Sequence, residues 1–165
     1  MSADLSITIK EDLILNNTQQ GGVYKNTIRG ITDIYKRLVT VPSGSNTTLA
    51  TFKSTVGISD SALDVGNVKY IRVTNLDGTN PVVLSLQIDN GSNDTSADES
   101  ANLLLEKGKS FMIGSTTGSL QVDDDSADLI PLESATPTLS NLESIVADSG
   151  TKSVQLEVFI ASSVS

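Results

Sequence analysis

The sequence predicts an all-β fold, an antiparallel β-sandwich of jelly-roll-like kind, and three observations carry that expectation. Apolar and polar residues alternate over short runs, from Leu5, Ile7 and Ile9 to Val154, Leu156, Val158 and Ile160, the period of a strand with one covered face. Clusters of Gly, Asn, Asp, Ser and Pro punctuate the runs, and no helical segments alternate with them as they would in a parallel α/β chain. Aromatic residues are only 4% of the chain against 38% hydrophobic overall, so the core must be built from Val, Ile and Leu, the residues that fit pleated sheets.

Element by element, Leu5 to Leu15 reads as a first strand, followed by a loop from Asn16 to Gly22 with Gly21-Gly22 as a flexible turn. Between Ile28 and Val41 two patterns compete. Ile28, Ile31, Ile34, Tyr35 and Leu38 recur at helical spacing, yet Gly30 and the β-branched residues weaken a helix, and Leu38-Val39-Thr40-Val41 before Pro42-Ser43-Gly44 reads as a strand ending in a turn. Strand is the preferred reading. Thr47 to Phe52 is a short strand, followed by a polar loop over 53–67.

Val68 to Ile88 has the marks of a β-hairpin. Val68, Tyr70, Ile71 and Val73 lead into Asn75-Leu76-Asp77-Gly78-Thr79-Asn80, where Asp77-Gly78 suits a turn with positive φ, and Val82 to Ile88 returns. A second polar loop spans 89–100. Strands resume at Leu103-Leu104-Leu105, turn at Glu106-Lys107-Gly108-Lys109 and continue through Phe111-Met112-Ile113, before a third polar excursion over 114–138. Leu142–Ala147 and Val154–Ala161, joined around Asp148-Ser149-Gly150-Thr151, form the other expected hairpin. In its last strand Val154, Leu156, Val158 and Ile160 face the core, with Gln155, Glu157, Phe159 and Ala161 opposite. The whole of 1–165 fits a single domain, since 165 residues suffice for one core.

Eleven Lys and Arg against 20 Asp and Glu give a net charge of -9, which repels phosphate backbones and argues against nucleic acid as a partner. No run approaches the length of a membrane-spanning helix, and Met1-Ser2-Ala3-Asp4 lacks the charged and apolar regions of a signal peptide, so synthesis in the cytoplasm and no membrane partner are expected. Cys and His are both absent. That removes disulfides, thiolate nucleophiles, imidazole bases and nearly all zinc sites. Carboxylate pairs and Ser-Lys dyads have no recognisable spacing here, so the expectation is a non-enzymatic protein with no catalytic, cofactor-binding or metal-binding residues and no cofactor.

Some motifs invite a sharper reading. Asp123-Asp124-Asp125 with Asp128 could offer oxygens to Ca²⁺, but the EF-hand glycine and twelfth-position Glu are missing, and a charged solvated loop is the preferred interpretation. Gly21-Gly22 lacks the Lys-Ser/Thr of a phosphate loop. Ile71, Val83, Leu86 and Leu156 could form an interface but are better read as sandwich core. Tyr24, Tyr35 and Tyr70 are few for a sugar-stacking platform, and Trp is absent. The long polar loops are the expected reach towards other subunits.

Lys69-Tyr70-Ile71-Arg72-Val73-Thr74-Asn75-Leu76-Asp77, then Val82 to Ile88, then Leu103-Leu104-Leu105-Glu106-Lys107-Gly108-Lys109-Ser110-Phe111 form a pattern of strand ending in Thr-Asn, polar turn, alternating strand, strand, Gly turn and strand. In this pattern, joined by Leu5–Leu15 and Glu157-Val158-Phe159-Ile160-Ala161, the chain resembles small β-rich virion proteins of tailed bacteriophages, particularly those of marine bacteria such as cyanobacteria. The resemblance implies a virion location and a homo-oligomer present in many copies. Its implied partners are the major capsid protein, which it would decorate or cement, or else the neck, tail or fibre proteins. A carbohydrate- or host-receptor-binding module is the competing expectation, since jelly rolls often hold sugars.

Overall fold

The computed structural model describes residues 2–53, 56–57, 61–88, 99–114 and 142–163. Strands account for every regular element among them: β1 (Ala3–Lys10), β2 (Ile14–Leu15), β3 (Thr18–Gln19), β4 (Val23–Ile31), β5 (Asp33–Val41), β6 (Asn46–Lys53), β7 (Leu63–Asp64), β8 (Val68–Asn75), β9 (Val82–Ile88), β10 (Glu99–Leu105), β11 (Ser110–Gly114), β12 (Leu142–Asp148) and β13 (Val154–Ser162). The fold is all-β and is a sandwich. One sheet has the order β11-β8-β13-β5 and the other β10-β9-β12-β6-β7. All the pairings are antiparallel except the short one between β6 and β7, where Phe52 lies beside Leu63.

Alternation decides which face is covered. Ile71 and Val73 on β8, Val154, Leu156, Val158 and Ile160 on β13 and Val41 on β5 meet Leu49 and Phe52 of β6, Val82 and Leu84 of β9, Leu105 of β10, and Leu142, Ile145 and Ala147 of β12 in one apolar core. The expected orientation of the last strand is observed. Of the four residues weighed as interface or core, Ile71 and Leu156 are fully buried and Leu86 packs against the core. Val83 is exposed on the outer face.

Two expected hairpins are corners instead. β8 and β9 lie in different sheets, as do β12 and β13. Their turn residues carry the chain across the sandwich rather than back along one sheet. At the first corner Asn75 is completely buried, and its amide donates to the carbonyls of Asn80 at 2.9 Å and Leu105 at 3.3 Å. Its side-chain oxygen accepts from the Asp77 amide, and the Asp77 carboxylate accepts from the amides of Thr79 and Asn80, both at 2.7 Å. This Asx network replaces the two-residue turn anticipated at Asp77-Gly78, and Gly78 is not among the positive-φ residues. The Glu106–Lys109 turn is a further corner, from β10 in one sheet to β11 in the other, with Gly108 at φ 66°.

The corners interlock at one end. The Gly44 amide, between β5 and β6, donates to the Gly150 carbonyl between β12 and β13 at 2.6 Å, and the Ser149 and Ser153 hydroxyls both reach the Val41 carbonyl. The Asn75 amide donates to the Lys109 carbonyl and the Leu76 amide to the Gln155 carbonyl. At the opposite end β9 stops at Ile88 and β11 at Gly114, where the polar loops over 89–100 and 114–138 are expected to begin. Residues 89–98 and 115–141 lie outside the described residues. Strand β10 begins at Glu99, four residues before the expected resumption at Leu103. Ser100, Ala101 and Asn102 are exposed there, so alternation gave no sign of a strand. Likewise β7 interrupts the 53–67 loop.

The ambiguous stretch is two strands, β4 and β5, divided at Thr32, whose amide donates to the Ser162 carbonyl. Ile28 and Ile31 are buried before the break, whereas Ile34 and Leu38 are exposed after it and Tyr35 turns to the core. The helical spacing is produced by two strands presenting different faces.

Candidate assembly surface

Residues 3–31 form a feature that the first-strand reading missed. β1 pairs with β4 and β2 with β3, and the two ladders share one register. Leu5 lies opposite Ile28, Ile9 opposite Tyr24, Ile14 opposite Gln19 and Leu15 opposite Thr18. The Glu11 amide donates to the Gly22 carbonyl and the Gln20 amide to the Leu13 carbonyl, both at 2.8 Å, and these hydrogen bonds fill the gap between them. The result is one long ribbon closed by Asn16-Asn17, with φ 50° and 61°, the left-handed pair that a two-residue hairpin turn requires and that Asn tolerates. Gly21-Gly22 therefore lies between β3 and β4 on the returning side of the ribbon, and the reversal is at Asn16-Asn17 instead. A side chain at Gly21 would strike the Glu11 carbonyl.

Register assigns the faces. Leu5, Ile7, Ile9, Glu11, Leu13 and Leu15 share one face with Tyr24 and Ile28, and Glu11 is its only charge. Ser6, Thr8, Lys10, Asp12 and Ile14 share the other with Val23, Lys25 and Thr27. At the root, Ile28 and Ile31 pack with Tyr70 and Ala161 in a second small core, joined by Leu5, Ile7 and Phe159. Beyond the root, coverage stops. Ile9, Leu13 and Leu15 are exposed, Tyr24 is 61% exposed, and on the opposite face Val23 and Ile14 are exposed too, Ile14 at 68%. Among the described residues nothing packs on either side of the distal ribbon.

The root rests on the outer face of the β11-β8-β13-β5 sheet. Register lays that face out in rows: Ile34, Ala161, Tyr70 and Gly114, then Lys36, Phe159, Arg72 and Met112, then Leu38, Glu157, Thr74 and Ser110. The ribbon covers Tyr70 and Ala161, while Ile34 and Leu38 on the edge strand stay exposed, Leu38 at 62%. Tyr70 meets the Phe159 ring edge-on at 6.1 Å, and burial raises its phenol pKa. Arg72 stands over Phe159 at 5.7 Å and pairs with Glu157, which Lys36 approaches at 3.3 Å. The Lys36 hydrogen bond, with the charges of Lys36 and Arg72, holds the Glu157 carboxyl below its ordinary pKa although burial pushes it up. Two cations against one anion leave this patch locally positive in a chain of net charge -9.

The remaining candidates are dispersed or lie elsewhere. Asp123, Asp124, Asp125 and Asp128 fall outside the described residues. Among the described residues no three acidic side chains converge as a metal site. Tyr35 donates its hydroxyl to the Leu49 carbonyl at 3.0 Å beneath Arg37, Tyr70 sits in the second core and Tyr24 on the distal ribbon. The three tyrosines occupy separate places and make no stacking platform.

No protein-family model and no curated protein matches the chain. A solved structure described as "Bacillus endospore appendages form a novel family of disulfide-linked pili" overlays with a TM-score of 0.36 and 10% identity, covering 80% of this chain and 89% of that one. A likeness of that size carries no conclusion about role.

Proposed function

We propose that this chain is a non-enzymatic structural module that assembles with protein partners through its distal ribbon. The exposed apolar ribbon carries the reading. A two-stranded ribbon covered on neither face is marginal alone, and a long exposed apolar stretch on a soluble protein marks a docking element. With no cysteine in the chain, such contacts are not disulfides, and the sandwich supplies a rigid base from which the ribbon is presented.

The finer setting we propose is the virion of a tailed phage, as a capsid decoration or cement protein present in many copies. The phage-like pattern at Lys69–Asp77, Val82–Ile88 and Leu103–Phe111 supports it. So does the acidic net charge, which suits the outside of a shell that holds DNA. The nested strand order, with β13 between β5 and β8 and β12 between β6 and β9, supports reading the sandwich as jelly-roll-like, an architecture common in capsid proteins. Antibody labelling of purified particles of a phage whose genome encodes the chain, read by electron microscopy, tests the setting. Many labels over the shell are the expected result. Labels confined to one vertex would move the chain to the neck or tail, and absence from particles would overturn the virion reading.

A further inference from the structure

We propose that the partner of the distal ribbon is a second copy of this chain, docked on the uncovered part of the outer face of its β11-β8-β13-β5 sheet. This rests on the assembly reading above and names the partner.

The first reason is continuity. The ribbon's apolar face already packs against this kind of surface at its root, where Leu5, Ile7 and Ile28 meet Tyr70, Phe159 and Ala161. The same face runs on through Ile9, Leu13, Leu15 and Tyr24 without cover, while the sheet runs on to Ile34 and Leu38, also without cover. Every chain therefore carries an exposed apolar donor surface and an acceptor surface on which Ile34 and Leu38 stand exposed on either side of Lys36.

The second reason is charge. Glu11, the single charge on the donor face, sits between Ile9 and Leu13. Among the described residues the acceptor centre sets Lys36 and Arg72 against Glu157, so one further carboxylate balances it. The third is size. The distal ribbon's exposed apolar side chains offer on the order of 500 Å², the greater part of the ~800 Å² per partner that a specific interface takes. Donor and acceptor are different surfaces, so the contact is heterologous and propagates head to tail into a ring or a filament.

The test uses two variants of the full chain, Leu13→Asp with Leu15→Asp in one, Ile34→Asp with Leu38→Asp in the other. All four positions are exposed, and circular dichroism checks that each variant folds. Light scattering behind size-exclusion chromatography reads mass at rising concentration. The wild type is expected to form dimers and larger species, each variant alone to stay monomeric, and an equal mixture of the two to form dimers that grow no further, joined by one intact ribbon and one intact face. Leu104→Asp, on the other sheet, is expected to associate like the wild type. A ribbon variant that still associates, a face variant that associates like the wild type, or a mixture that stays monomeric would each overturn the head-to-tail contact. A wild type monomeric throughout would overturn the second copy as partner, while particle labelling decides the assembly role separately.

Discussion

The sandwich and the ribbon are built from the same kinds of residue in the same alternation, and they differ in what covers them. In the sandwich each apolar strand face meets another sheet, so Leu156, Ile71 and Leu84 are fully buried. In the distal ribbon Leu13, Ile14 and Leu15, as apolar as any core strand, lie exposed. Stability therefore resides in one region and unspent burial in the other. That division separates substitutions that unfold the chain from substitutions that alter what it binds.

The largest effect is expected in the core. Leu156→Ala should cost about 3 kcal/mol and lower the thermal midpoint by about 10 °C, whereas Leu15→Ala should cost less than about 0.5 kcal/mol and move the midpoint of the dilute protein by less than about 2 °C. Thermal unfolding followed by circular dichroism compares the two. Equal losses would mean that the ribbon is packed after all.

Next is the corner at Asn75. Removing its side chain in Asn75→Ala takes one hydrogen bond from the buried Leu105 carbonyl and one from the Asp77 backbone amide, at an expected cost of about 2 kcal/mol, measured by urea denaturation. The Gly21→Val change should leave the sandwich midpoint within about 1 °C but break the ribbon at Glu11, seen as new protease cleavage between Lys10 and Lys25.

The smallest effect concerns pH. Backbone amides of Asn80 and then Thr79 hold the Asp77 carboxyl below its ordinary pKa. A lowered folded-state value means a contribution present above the unfolded carboxylate pKa of about 4, which is lost as the pH falls through the folded value. The difference in midpoint between wild type and Asp77→Ala should be fully present at neutral pH and narrow below about pH 4. A gap that does not change with pH would show that the ionised carboxylate does not matter to the corner.

How much of this the sequence discloses depends on whether a feature is local. The period of Val154–Ile160 and the turn residues at Gly44, Gly108 and Gly150 are local, and they mark strands and reversals correctly. Which strand a reversal leads to is not local. A corner and a hairpin both need a chain reversal, and at Asp77 the choice is made by Asn75 reaching Leu105, 30 residues on. The ribbon was half legible. Leu5 to Leu15 is visibly apolar, but the return through Thr18, Gln19 and Gln20 is polar with no apolar alternation, so it reads as loop. Asn16-Asn17, flanked by residues able to pair, was the available signal. The outer-face patch was legible only in part, since Phe159 and Glu157 fall on the non-core side of the last strand while their neighbours Lys36 and Arg72 come from strands distant in sequence.

Hydrogen–deuterium exchange, followed peptide by peptide in the dilute protein and in its assembled form, tests most directly whether the ribbon is the assembly element. Amides of β8, β9, β12 and β13 should exchange slowly in both states, and those between Ile9 and Tyr24 should exchange fast when dilute and become protected on assembly. Ribbon amides that are already protected in the dilute chain, or that stay fast after assembly, would contradict it.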